Sequence, residues 1–256
     1  MATADQANAL PLLYNDLVPL SSQEHADYRV RRIDSAPFLK DVHAVPLTVE
    51  EFILAQRFYP IIFSVGENPV PLALMGLNQG VNVFVEDKGE LLNEVYVPAY
   101  IRRFPFMLAR LDQGSEELSL CFDPSSEAVG AFDEGEALFV DGQPSDVTKN
   151  LLAFNEQFEI AGQKTGQFLK ELAEMKLLMD GEVTIQPEGA DKPFVYRGFQ
   201  MIDENKLREL RGDQLRKMMQ SGMLPVIHAH LFSLSLVRDI FALQVSQGKM
   251  AVAEAA

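Results

Sequence analysis

The feature that most constrains this chain is an apolar stretch at residues 58–87, FYPIIFSVGENPVPLALMGLNQGVNVFVED. A helix that crosses a bilayer needs about 20 consecutive, mainly apolar residues. Here Pro60, Pro69, Pro71, Gly66, Gly76 and Glu67 all fall between residues 60 and 76. Proline lacks the N–H that a helix interior must donate, so a spanning helix is not the reading. The stretch separates instead into apolar runs at 59–65, 70–77 and 81–85. Gly66, Asn68 and Pro69 fill the first gap, and Asn78 and Gly80 the second. Short apolar runs bounded by turn residues are the pattern of strands covered on both faces. The spacing predicts a mostly antiparallel β-meander around residues 59–85, covered by helices.

Helical patterns flank it. In LTVEEFILAQRF, Thr48 with Glu51 three residues later matches a capping box. In YVPAYIRRFPF, Pro98 suits a first turn and Pro105 ends the helix near Phe104. A long helical pattern at 146–179 carries Leu151, Phe154, Phe158, Phe168, Leu172 and Met175, and Gly162 with Gly166 reads as a break into two helices. VTIQ and PFVYRGFQMI form two strands across the turn EGADK, after which Asp203 caps the helix DENKLREL. Pro225 opens a final helix to about Gln244. Residues 27–33 (DYRVRRI) alternate like an edge strand whose three arginines blunt the edge. No regular βαβ rhythm is present, so the expected class is α+β. The expected organisation is a single domain over 1–256, with a soft boundary near 181 and a smaller helical C-terminal unit.

The chain holds 37 acidic and 22 basic residues, a net charge of −15. That field repels nucleic-acid phosphates and anionic lipid surfaces, so neither is an expected partner. The N-terminus has neither the basic start nor the apolar core of a signal peptide. The expected location is the cytoplasm, with signal-less export to the surface left open. The single cysteine, Cys121 in LSLCF, reads as a small buried hydrophobe.

No phosphate-binding glycine loop, zinc-binding His-Glu-x-x-His or cysteine pair occurs, and no cofactor is expected. FSVG around Ser64 lacks the first glycine of a nucleophile elbow, because Ile62 stands there. The weak metal candidates are His228 and His230. On a helix, residues two apart point about 200° apart and cannot share an ion. His230 then joins Leu234, Val237 and Phe241 as a buried, hydrogen-bonded histidine, while His228 lines up with Phe232, Ser235 and Asp239. Arg102-Arg103 admits two readings. One is a pocket for an anionic or peptide ligand, walled by Tyr96 and Tyr100. The other, which is favoured, is an internal ion pair with Glu67, Glu94 or Asp123. Glu67-Asn68 reads as a hairpin turn and Asp123-Pro124-Ser125-Ser126 as a turn or cap. The candidate ligand-binding set is therefore Glu67, Asn68, Tyr96, Tyr100, Arg102, Arg103 and Asp123.

Five segments, FYPIIFSVGENPVPLALMGL, YVPAYIRRFPF, LCFD, GFQMIDENKLREL and HAHLFSLSLV, together resemble the SapC family of bacteria, over about residues 19–237. Members often carry a tryptophan near the positions of Leu91 or Met223; this chain has none. The resemblance implies a link to bacterial surface layers, for which the family is named. It also implies a genomic setting beside TonB-dependent outer-membrane receptors, halogenase-like flavoproteins and cupin-like proteins. It carries over no catalytic residue. Some relatives are labelled peptide-transport permeases, which the interrupted stretch at 58–87 contradicts. The leading expectation is a non-catalytic binding or assembly protein of surface-layer biogenesis or envelope uptake, with a protein, peptide or small anionic partner. The alternative is an accessory metal-dependent oxygenase or hydroxylase using His228, His230 and a carboxylate. A third is a structural component of the surface array.

Overall fold

The computed structural model describes residues 10–33, 35–86, 88–92, 95–111, 117–186 and 192–249. Its strands, in chain order, are β1 (Val18–Pro19), β2 (Arg29–Val30), β3 (Ala44–Pro46), β4 (Ile61–Phe63), β5 (Pro71–Leu74), β6 (Phe106–Ala109), β7 (Ser119–Phe122), β8 (Val129–Gly130), β9 (Glu136–Ala137), β10 (Phe139–Val140), β11 (Gln143–Pro144), β12 (Leu178–Ile185) and β13 (Phe194–Ile202). The helices are α1 (Phe52–Ala55), α2 (Ala99–Arg103), α3 (Asp146–Glu174), α4 (Glu204–Arg208), α5 (Gly212–Gln220), α6 (Met223–Ser233) and α7 (Val237–Ser246). Every pairing between these strands is antiparallel. The class is α+β, with helices gathered at the C-terminal end.

Packing divides the chain into two compact units. One takes the segments up to Ser35 and Ile101–Ile160; the other takes Ala36–Tyr100 and everything from Ala161 onward. The boundary expected near 181 is not among these divisions. β12 runs through residue 181 and pairs with β13 on both sides of a bulge at Gly181. A Cβ on Gly181 would lie 2.2 Å from the Phe199 ring, so only glycine fits under that side chain.

In the first unit, short strands form the sheets β1-β7-β6 and β8-β2-β9, with β10 and β11 as a hairpin. Phe106, Phe122, Val129 and Leu138 fill its core. β2 is not the edge strand its sequence suggests, because β8 and β9 flank it. Its arginines serve the neighbouring loops instead: Arg29 donates to the Gly135 carbonyl at 2.9 Å, and Arg31 to the Glu127 carbonyl at 2.7 Å.

In the second unit, a five-stranded sheet runs β12-β13-β4-β5-β3. The predicted meander is right for its first two strands, β4 and β5. The third run, 81–85, is not a strand; its one ladder contact is an isolated bridge from Val85 to Leu91. Asn82 is the reason. Its buried amide donates to the Leu39 and Val42 carbonyls, both at 3.0 Å, and accepts from the Phe84 N–H at 2.8 Å. A short polar side chain that satisfies backbone groups replaces the ladder. The place beside β5 goes to β3. The turn expected at EGADK lies outside the described residues except for Lys192.

Helix α3 is continuous from Asp146 to Glu174, against the expected break at Gly162 and Gly166. A Cβ at either glycine would meet open space. Each therefore carries only the entropic cost of glycine in a helix, about 1 kcal/mol, which burial of Phe168 and Leu172 on the opposite face outweighs. Gly162→Ala and Gly166→Ala should each stabilise the protein by about 0.5–1 kcal/mol in denaturant melts; loss of stability at either site would mean the helix is broken there.

Candidate functional site

Helix α6 begins after Gly222 and carries HAH in its middle. At helical spacing His230 and Ser233 face the sheet together, and both are fully buried. The β13–β4 pairing sets Gln200 opposite Phe63, and the same register two residues on sets Ile202 opposite Ile61. His230 stands between those two. Its Nδ1 lies 2.8 Å from the Ile61 carbonyl, and its Nε2 accepts the Ile202 N–H at 3.1 Å. The Ser233 hydroxyl accepts the Ile61 N–H at 2.9 Å and donates to the His230 carbonyl at 2.6 Å. Donation to Ile61 fixes the Nδ1–H tautomer. Burial lowers the His230 pKa to about 4, partly opposed by the bond to Ile61. The one lone pair of a neutral imidazole is spent on Ile202, so His230 has none to offer an ion. His228 turns elsewhere, its Nδ1 2.9 Å from the Leu224 carbonyl. Among the described residues, no group of three or more His, Cys, Asp or Glu side chains could hold a metal.

A second buried knot centres on Glu51. One carboxylate oxygen accepts the Thr48 N–H and hydroxyl, each at 2.9 Å. The other accepts the Tyr96 hydroxyl at 3.0 Å and the Ala99 N–H at 2.6 Å. The Tyr59 hydroxyl donates to the Tyr96 carbonyl at 2.6 Å. Tyr96, expected as a pocket wall, is thus a strut between α1 and the residues entering α2, and Tyr100 is buried. Glu67 and Asn68 sit exposed on the β4–β5 turn, which the Ser64 hydroxyl closes by accepting the Val70 N–H.

Arg102, Arg103 and Asp123 belong to the other unit. Arg103 is buried, its guanidinium 4.2 Å from the Phe158 ring centre and 5.9 Å from that of Tyr14. A carboxylate beside it is that of Glu159, at 3.7 Å and partly open to water; Glu94 lies outside the described residues. Arg102 is exposed, 5.2 Å from the Phe154 ring centre. Asp123 is fully buried and accepts the Asn15 N–H at 2.7 Å, the Ser125 N–H at 2.8 Å and the Ser125 hydroxyl at 2.7 Å. Burial alone would raise its carboxyl pKa; the bonds from Ser125, Asn15 and Asp16 outweigh that and hold it below the usual range.

The seven candidate ligand residues therefore divide four and three between the units. Sequence reading named Glu51 only as half of a capping box, and it missed Glu159, Tyr14 and Ser233. Ser233 could have been found, since it follows His230 by three on the same helix face.

A family model described as SapC matches residues 20–240 of the chain. No curated protein and no solved structure matches it.

Arg103→Ala should cost about 1–3 kcal/mol, because it removes a buried side chain packed on two rings. Arg102→Ala should cost under about 1 kcal/mol, the size of an exposed cation–π contact. Denaturant melts of the two single variants measure the difference; equal, small losses would show that Arg103 is not part of the core.

Proposed function

Because the chain belongs to the SapC family, we propose that it is a non-catalytic binding and assembly protein of the bacterial envelope, acting in surface-layer biogenesis or uptake. The observation that carries this reading is the outer face of the final helical run. Met223–Ser246 is, among the described residues, the one run long and apolar enough to cross a membrane by length and composition, yet only 33% of its apolar window is buried. One face is fixed to the sheet through His230 and Ser233. The other side of α6 leaves Phe232 at 68% exposure, and on α7 Val245 is also exposed. α1 packs against α6 and adds exposed Ile53 and Leu54. Soluble proteins seldom leave such apolar surface open unless something docks on it.

The groups with chemical potential support the same reading. Glu51, Asp123 and His230 are each saturated by internal hydrogen bonds that hold backbone in place. The oxygenase alternative needs a lone pair on His230, and Ile202 occupies it. The proposed location is the cytoplasmic side of the envelope.

In the source bacterium, the wild-type chain should be recovered largely with the envelope fraction. Phe232→Asp should keep its thermal unfolding midpoint, since the side chain is exposed, and should lose most of that association. Wild-type protein found wholly in the soluble fraction, or a variant that stays with the envelope, would contradict the proposal.

A further inference from the structure

Beside the C-terminal end of α7, Glu86, Lys88 and Glu90 border a cleft of about 540 Å³, within the size range of small-molecule sites. Glu86, Lys88, Glu90 and Lys249 supply its charges, and Val85 and Leu92 its apolar lining. We propose that this cleft binds a small zwitterion of the short-peptide class, with the ligand's carboxylate at Lys249 and Lys88 and its ammonium at Glu86 and Glu90. The site is separate from the Phe232 face and does not depend on the envelope reading.

Charge selects the ligand class. Two ammonium groups and two carboxylates line one space, and none of the four makes an ion pair among the described residues. A purely anionic ligand would meet Glu86 and Glu90, and a purely cationic one would meet the two lysines. Only a molecule bearing both charges satisfies both pairs.

The Lys249 ammonium and the backbone of the rim are held in place, which lowers the ordering cost of binding. The Lys249 ammonium donates to the Asn82 carbonyl at 2.8 Å and the Val85 carbonyl at 3.3 Å. An ammonium has three N–H donors, so one remains for a ligand. Gln244 donates to the Lys249 carbonyl at 3.2 Å, and Gln247 to the Val83 carbonyl at 2.9 Å, fixing the chain that carries the lysine. On the opposite rim the backbone is tied, while the Glu86, Lys88 and Glu90 side chains are exposed. The Gly89 carbonyl accepts the Ala36 N–H at 2.6 Å, and the Glu86 N–H donates to the Glu90 carbonyl at 2.8 Å. Gly89 has φ +84°, and a Cβ there would lie 2.7 Å from the Pro37 nitrogen, so the turn is built on a residue that only glycine can supply. A second cleft, of about 350 Å³, shares Lys249. The first cleft, at about 540 Å³, itself has room for more than one residue, which favours a peptide over a single amino acid.

The test is calorimetric titration of the full chain with trialanine, N-acetyl-trialanine and trialanine amide. Trialanine should bind saturably, and blocking either end should weaken binding by about tenfold or more. Lys249→Met should weaken trialanine by a similar factor. Because that substitution also removes two bonds to backbone, the exposed rim change Glu86→Gln/Glu90→Gln is run beside it. The rim variant should lose the preference for a free ammonium while keeping the wild-type melting temperature. Absence of saturable trialanine binding up to millimolar concentration, equal binding of all three peptides, or a rim variant with unchanged preference would each overturn the proposal.

Discussion

The central sheet depends on how one strand residue, Ile61, satisfies its backbone. Its N–H and C=O point toward β13, and the register would bring Ile202 to meet them. The side chains of α6 take them instead: Ser233 the N–H and His230 the C=O. His230 then passes the interaction on to the Ile202 N–H, so a neutral imidazole replaces one rung of the ladder. Only Gln200 and Phe63 are paired directly across this joint. A buried N–H or C=O left without a partner costs about 1–3 kcal/mol. Removing the two α6 side chains would therefore strand several backbone groups at the seam between the β12–β13 hairpin and the rest of the sheet.

The same device recurs wherever strands are short. Glu51 gathers two backbone N–H groups and two hydroxyls where α1 and the entry to α2 meet. Asn82 holds a segment whose one ladder contact is an isolated bridge, and Asp123 anchors the chain at Asn15 beside the end of β7. Many strands here have two to four residues, too few for ladders alone to order the loops between them. Buried polar side chains complete the backbone's hydrogen bonding, as buried polar groups must be bonded to be tolerated. Residues that look like catalytic parts, Glu51, Asp123 and His230, are thereby committed to structure.

This also explains what could be read from the sequence. Period and capping are local, so the α+β class, the β4–β5 hairpin, the Thr48–Glu51 signal, the Asp203 cap and the buried face bearing His230 were all legible. Asp203 does accept from the Asn205 and Lys206 N–H groups, both at 3.1 Å. Partner choice is not local. Nothing near Asn82 announces that its amide will seek Leu39 and Val42, so the run 81–85 looked like a strand. Nothing near Arg103 points to Glu159, and β2 gives no sign that strands from residues 129–130 and 136–137 will flank it. Gly162 and Gly166 misled for the opposite reason: a local rule was applied where packing along a long amphipathic helix decides.

The neutral imidazole at the seam can be measured directly. The structure requires the Nδ1–H tautomer of His230, because Ile61 offers an acceptor and Ile202 a donor. Its folded pKa, about 4, lies below the ordinary value of 6.5. Protonation therefore favours the unfolded chain: the stabilisation is complete above about pH 6.5 and is lost as pH falls toward 4. Nitrogen-15 NMR of histidine-labelled protein, titrated from pH 8 to about pH 5, should show His230 as one unchanging Nδ1–H signal across that range. A His230 resonance that titrates near 6.5, or that carries its proton on Nε2, would contradict the account.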